Sequence, residues 1–143
     1  MKTTLDTTQI KTILDTVFAS VYDLYFKTHS SHWNVVAQDF HELHIMLEGQ
    51  YTYLWGSLDE IAERYRVFGL TAPTQSVSVD ASLSTAVRDE LLGGLLTTAE
   101  RTIDVLRTSI NTLDTLGDLA GADLLTGMLA THEKHAWMIR SSL

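Results

Sequence analysis

The sequence predicts an all-α fold, a four-helix bundle with a long crossover between the second and third helices, and two observations carry that prediction. Apolar residues recur at spacings of three and four over most of the chain. Pro73 is the only proline in 143 residues, so long stretches are free of helix breakers. Cysteine is absent, which rules out disulfides, thiolate zinc sites and cysteine nucleophiles. With 45% apolar residues, a single domain over residues 1–143 can bury a full core.

The first helix is marked by Ile10, Ile13, Leu14, Val17, Phe18, Val21, Leu24 and Tyr25, and runs to about Trp33. The stretch NVVAQD interrupts it. Asp39 then caps a second helix, with Glu42 three residues on completing a capping-box pattern. That helix carries Phe40, Leu43, Leu47, Tyr51, Leu54, Leu58, Ile61, Tyr65 and Phe68, and Gly69 stops it. Residues 70–85, LTAPTQSVSVDASLST, form a Ser/Thr-rich linker with room for a short strand or a turn of helix. Val87, Leu91, Leu95, Ala99, Ile103, Leu106, Ile110 and Leu113 define a third helix. Gly93 and Gly94 weaken it by about 1 kcal/mol each relative to Ala, and Gly117 ends it. A fourth starts near Ala120, with Leu124, Met128, Leu129, Ala136 and Ile139 on one side. Two short connections and one long one imply the ferritin-like bundle topology.

Charge narrows the partners. The formal net charge is −8, from 18 acidic against 10 scattered basic residues. Such a surface repels polyphosphates, which disfavours DNA as a partner, and attracts cations. Helix four ends in WMIRSSL, without a Lys/Arg-rich tail. No apolar run approaches the roughly 20 residues that span a bilayer, and MKTTLDTTQI lacks the apolar block of a signal peptide, so a cytoplasmic protein is expected.

The chemistry concentrates on the second helix. With His44 set at 0° and about 100° per residue, Glu48 falls near 40°, Asp59 near 60° and Glu63 near 100°. All four share one stripe beside the core face. Fifteen residues separate His44 from Asp59, or about 22 Å along a helix, whereas a metal needs ligands at roughly 2 Å. One chain cannot close such a site. The order His44, Glu48, Asp59, Glu63 is, however, balanced about residues 53 and 54. A second copy crossing antiparallel there brings Asp59 and Glu63 of one subunit to His44 and Glu48 of the other, twice over. Thr52 and Gly56 are small and Trp55 is a single large anchor on that face, as a dimer interface requires. His32, at the end of the first helix, packs beside the start of the second and completes the set. Two imidazoles and three carboxylates suit ferrous iron, manganese or zinc, and redox chemistry needs iron.

Each residue alone has a plainer reading. A helical carboxylate is usually a solvated charge, and Glu63 can pair with Arg66. It is the shared stripe and the mirror-balanced spacing together that favour a metal. HEKH at 132–135 is not a zinc-protease motif, because its second His stands at i+3. His29 and His41 are expected at the surface.

Residues 32–64, HWNVVAQDFHELHIMLEGQYTYLWGSLDEIAER, resemble the signature of the Dps family, the mini-ferritins, in HWNV, in LH with an acid four residues later, and in DEIAER. Weaker resemblance, including EKHAWM at 133–138, extends over the rest of the chain. It implies a dodecamer of two-fold dimers enclosing ferric mineral, with ferroxidase centres at the two-fold interfaces and hydrogen peroxide rather than oxygen as the main oxidant. His32, His44, Glu48, Asp59 and Glu63 fall on the ligand positions and Trp33 beside the centre. Asp118 and Asp123 match acids that line three-fold pores. Glu48 departs from the Asp of many members, Ala37 from a common loop glycine, and the linker is short for the family's small extra helix.

Overall fold

The computed structural model describes residues 4–79 and 85–143. Four α-helices follow in order, α1 (Thr7–Asn34), α2 (Phe40–Val67), α3 (Arg88–Leu116) and α4 (Leu119–Ser141). Their apolar periodicity is what forms them: Ile10, Leu14, Val17, Val21 and Leu24 of α1 meet Leu54, Leu58, Ile61 and Tyr65 of α2 in one core with residues of α3 and α4. A smaller cluster, with Val35, Leu43, Leu47, Leu91, Leu92, Leu95 and Ile139, closes the other end. The α1–α2 and α3–α4 hairpins pack along their lengths and α1 lies on α3, while α2 and α4 touch sparsely.

The ends are settled by specific contacts. Asp6 caps α1, accepting from the amides of Thr8 and Gln9 at 3.1 Å each. Gly69 and Gly117 take positive φ of 73° and 87° where α2 and α3 stop, as the left-handed turn after a helix requires. Asp39 precedes α2 but makes no cap hydrogen bond. Arg88 takes its carboxylate instead, through Nε at 2.9 Å and Nη2 at 2.8 Å. The capping box expected from Asp39 and Glu42 is therefore replaced by a long-range ion pair. Arg88 Nη2 also donates to the Ser142 carbonyl at 2.5 Å, and the Val36 amide donates to Ala86 at 3.1 Å. One guanidinium thus ties the α1–α2 loop, the start of α3 and the end of α4 together.

The linker expected over 70–85 holds neither helix nor strand among its described residues, and residues 80–84 lie outside them. A single parallel bridge, Val36 to Val87, is the only β contact among the described residues. Val87 itself is exposed and precedes α3 rather than joining its core. On α4 the buried stripe is Ala122, Leu125, Met128, His132, Ala136 and Ile139. It runs through Leu125 where the apolar pattern suggests Leu124, because His132 occupies a core position that hydropathy assigns to a polar face. No helix among the described residues is long and apolar enough to cross a membrane.

Candidate metal centre

The short connection between α1 and α2 brings two imidazoles face to face. The rings of His32 and His44 stack with centroids 3.6 Å apart and planes 14° apart. His32 Nδ1 donates to the carbonyl of His44 at 2.7 Å, and His44 Nδ1 donates to the carbonyl of His32 at 2.8 Å. A carbonyl oxygen has no hydrogen to give, so each Nδ1 carries a proton, and in the neutral form of each ring the lone pair lies on Nε2. Metal-binding histidines are oriented in this way, by a hydrogen bond from the other ring nitrogen. His32 is buried and His44 half-buried, with Phe40 packed 4.8 Å from the His44 ring.

An aromatic wall stands behind the pair. His29 lies on Tyr51 at 3.8 Å and near-parallel, and contacts Trp33 at 4.3 Å. Its Nδ1 shares a 3.1 Å hydrogen bond with the Tyr25 hydroxyl. Burial, then the neighbouring His32, lowers the His29 pKa, and a neutral ring can accept that bond. Burial, then Tyr22 and Tyr51, raises the Tyr25 pKa. The expectation that His29 lies free at the surface is therefore corrected: it is half-buried and stacked, while His41 is exposed. The signal for this cluster was present as Tyr25, His29 and Trp33 at successive i+4 steps on one face.

Of the carboxylates, Glu48 follows one turn after His44, and Asp59 and Glu63 stand near the far end of α2. All three are exposed, and among the described residues none forms an ion pair. Arg66, a candidate partner for Glu63, donates to the Leu70 carbonyl at 2.7 Å instead. Arg64 is drawn to Asp118 and lies over the Phe68 ring at 4.8 Å. Among the described residues, no group of three or more His, Asp or Glu converges on a single point. The chain thus gathers His32 and His44 and leaves Asp59 and Glu63 apart from them.

Asp118 and Asp123, the acids matched to a pore, sit differently from each other. Asp118 is 2% exposed; its Oδ1 accepts from the Gly121 amide at 3.0 Å, capping α4, and pairs with Arg64. Its carboxylate is engaged inside the subunit. Asp123 is exposed. The HEKH stretch is divided as well: Glu133 turns outward to Arg107 at 3.5 Å, while His132 is buried with its Nε2 unpartnered. Tyr53 packs edge-on to both His132 and His135, at 6.2 and 5.4 Å. Burial, with lesser contributions from His135 and Lys134 respectively, lowers both histidine pKa values to about 4.

The fold first defines the class: a family model described as the ferritin-like domain matches residues 11–143. A low temperature-induced protein of Nostoc is 33% identical over 138 residues, covering 90% of this chain and 76% of that protein. A DNA protection during starvation protein of Brevibacillus brevis is 29% identical over 140 residues, covering 94% of each. The solved structure of Dps from Mycobacterium smegmatis in a tetragonal form is 27% identical, with a TM-score of 0.88 over 96% of this chain and 87% of that one. The chain belongs to the Dps family of ferritin-like proteins. Membership supports a general iron-storage or protective role.

Proposed function

We propose that this protein is a ferroxidase and iron-storage cage, in which ferrous iron is the substrate and ferric mineral the stored product. The observation that carries this reading is the reciprocal His32–His44 pair, whose hydrogen bonds leave two imidazole lone pairs available on one chain. Family membership supplies the iron-handling role that fits such a pair. His32, His44 and Glu48 of one subunit bind iron together with Asp59 and Glu63 of its two-fold partner, and Trp33 lies beside them. Twelve subunits, built from two-fold dimers, enclose the mineral.

In this reading two ferrous ions each give one electron to hydrogen peroxide. The O–O bond breaks, two protons are taken up, and two waters form without releasing hydroxyl radical; oxygen is the slower oxidant. The carboxylates offset the growing positive charge on iron, and the imidazoles hold their tautomer throughout because the Nδ1 protons are already committed to carbonyls. Zinc and manganese, which accept the same ligands, act as surrogates that occupy the site. Asp123 is the better of the two candidate pore acids, since it is exposed. The starvation-protection name of the relatives is met here by removing ferrous iron and peroxide in the cytoplasm. A net charge of −8 offers DNA no electrostatic footing.

Ferrous iron added with peroxide to the purified protein gives a soluble ferric core. Asp59→Ala combined with Glu63→Ala slows oxidation on the order of a hundredfold or more, as loss of two metal ligands should. Oxidation at the wild-type rate by that variant would refute the assignment.

A further inference from the structure

The proposed two-fold assembly rests on residues scattered along α2, and the structure adds a feature that would hold it together. Trp55 is 64% exposed in the middle of α2, on the stripe that carries His44, Glu48, Asp59 and Glu63. Beside it is an open groove of about 310 Å³ between α1 and α2, lined by Tyr25, His29, Tyr51, Thr52 and Trp55 itself. A second groove of about 600 Å³ continues past Trp55 and Gly56 to Asp59. The two helices of one chain leave a trough of aromatic rings, with the Trp55 indole at its edge, its ring 5.4 Å from that of Tyr25.

Register decides which residue faces that trough. An antiparallel crossing balanced between residues 53 and 54 sets each residue opposite the one whose number completes a sum of 107. Glu48 then faces the partner subunit's Asp59, His44 faces the partner subunit's Glu63, and Thr52 faces the partner subunit's Trp55. Thr52 is the small residue lining the first groove, so the geometry points to a reciprocal lock in which each Trp55 enters its partner's Tyr25, His29, Tyr51 and Thr52 groove. The occupant of the groove is a second copy of this chain, and the inference rests on the intersubunit reading of the metal site.

The glycines of α2 bear on the close approach, Gly56 most directly. Gly49 and Gly56 lie inside α2, where glycine disfavours the helix relative to Ala. A Cβ at either position would meet nothing within 4 Å in its own chain. Packing within the subunit therefore does not require them to be glycine. In the same register Gly56 faces the partner subunit's Tyr51, a bulky residue of the first groove that needs such space. Binding hot spots are enriched in Trp and cluster in well-packed pockets near the centre of an interface, the place this register gives Trp55.

The test is the assembly state of the full chain, measured by light scattering over a dilution series, with circular dichroism to check the helices. Trp55→Ala should move dissociation to concentrations roughly thirtyfold higher or more, since a hot-spot truncation costs at least about 2 kcal/mol, while helicity stays intact. Thr52→Arg should do the same by filling the groove from the receiving side, and it decides the matter if Trp55→Ala fails to fold. A folded variant that assembles like wild type overturns the lock. Asp59→Asn with Glu63→Gln separates this from the iron reading, for it should stay assembled and lose oxidation. If it oxidises iron normally while Trp55→Ala dissociates, the lock stands and the iron reading falls.

Discussion

His32 and His44 show how far a single side chain can be read from sequence. Their nearness follows from the short loop between two helices, but their tautomer does not. It depends on two carbonyl oxygens that only the folded backbone presents. Nitrogen-15 NMR of the metal-free protein should find the neutral form of both rings with its proton on Nδ1; neutral rings protonated on Nε2 would remove the basis of the proposed ligand pair. Asp39 and Asp118 teach the opposite lesson. Local pattern assigns Asp39 to a cap, yet Arg88, 49 residues away, offers a bidentate fork and wins it. Asp118 matches a pore acid, yet it serves as the cap of α4 and the partner of Arg64. Gly121 is required by that cap, since a Cβ there would run into the Asp118 carboxylate. Helix propensity alone says Gly121→Ala should stabilise by about 1 kcal/mol. The lost cap and disturbed ion pair should reverse the sign, giving a net loss of about 1–3 kcal/mol in urea unfolding.

At the scale of elements, α1, α2 and α3 are legible because their apolar residues recur over 28 or 29 residues, enough to carry buried polar positions such as Thr28, Gln50 and Thr102, and α4 is less so because His132 interrupts a shorter stripe. Burial lowers the pKa of His132 to about 4, against 6.5 for the free side chain. Between those values the unfolded chain binds a proton that the folded chain refuses. The contribution to stability is therefore complete above about pH 6.5 and is lost as pH falls toward 4, and it amounts to about 3 kcal/mol. His135, lowered for the same main reason, acts in the same direction. Asp39, held low by Arg88, adds its own loss only at lower pH, below the usual carboxylate range. Melting temperatures should fall steadily from pH 6.5 to 4, and His132→Leu should flatten much of that slope. An unchanged slope in the variant would show that His132 is not the group responsible.

For the whole molecule, the bundle and its connectivity follow from periodicity and loop lengths, whereas the aromatic wall and the Arg88 tie depend on contacts between distant segments and stay hidden until the chain is folded. The assembly is the level at which the proposed chemistry exists. His44 and Asp59 are about 22 Å apart along one helix, so a chain by itself holds two half-sites and no complete one. The most direct measurement is complementation. One variant carries His44→Ala and Glu48→Ala, the other Asp59→Ala and Glu63→Ala, and each alone should be inactive. Unfolded together and reassembled at equal amounts, they form mixed dimers half the time. Each mixed dimer has one intact site of two, so initial ferrous oxidation should recover to about a quarter of wild type. No recovery, in assemblies shown by mass to contain both chains, would contradict a site shared between subunits.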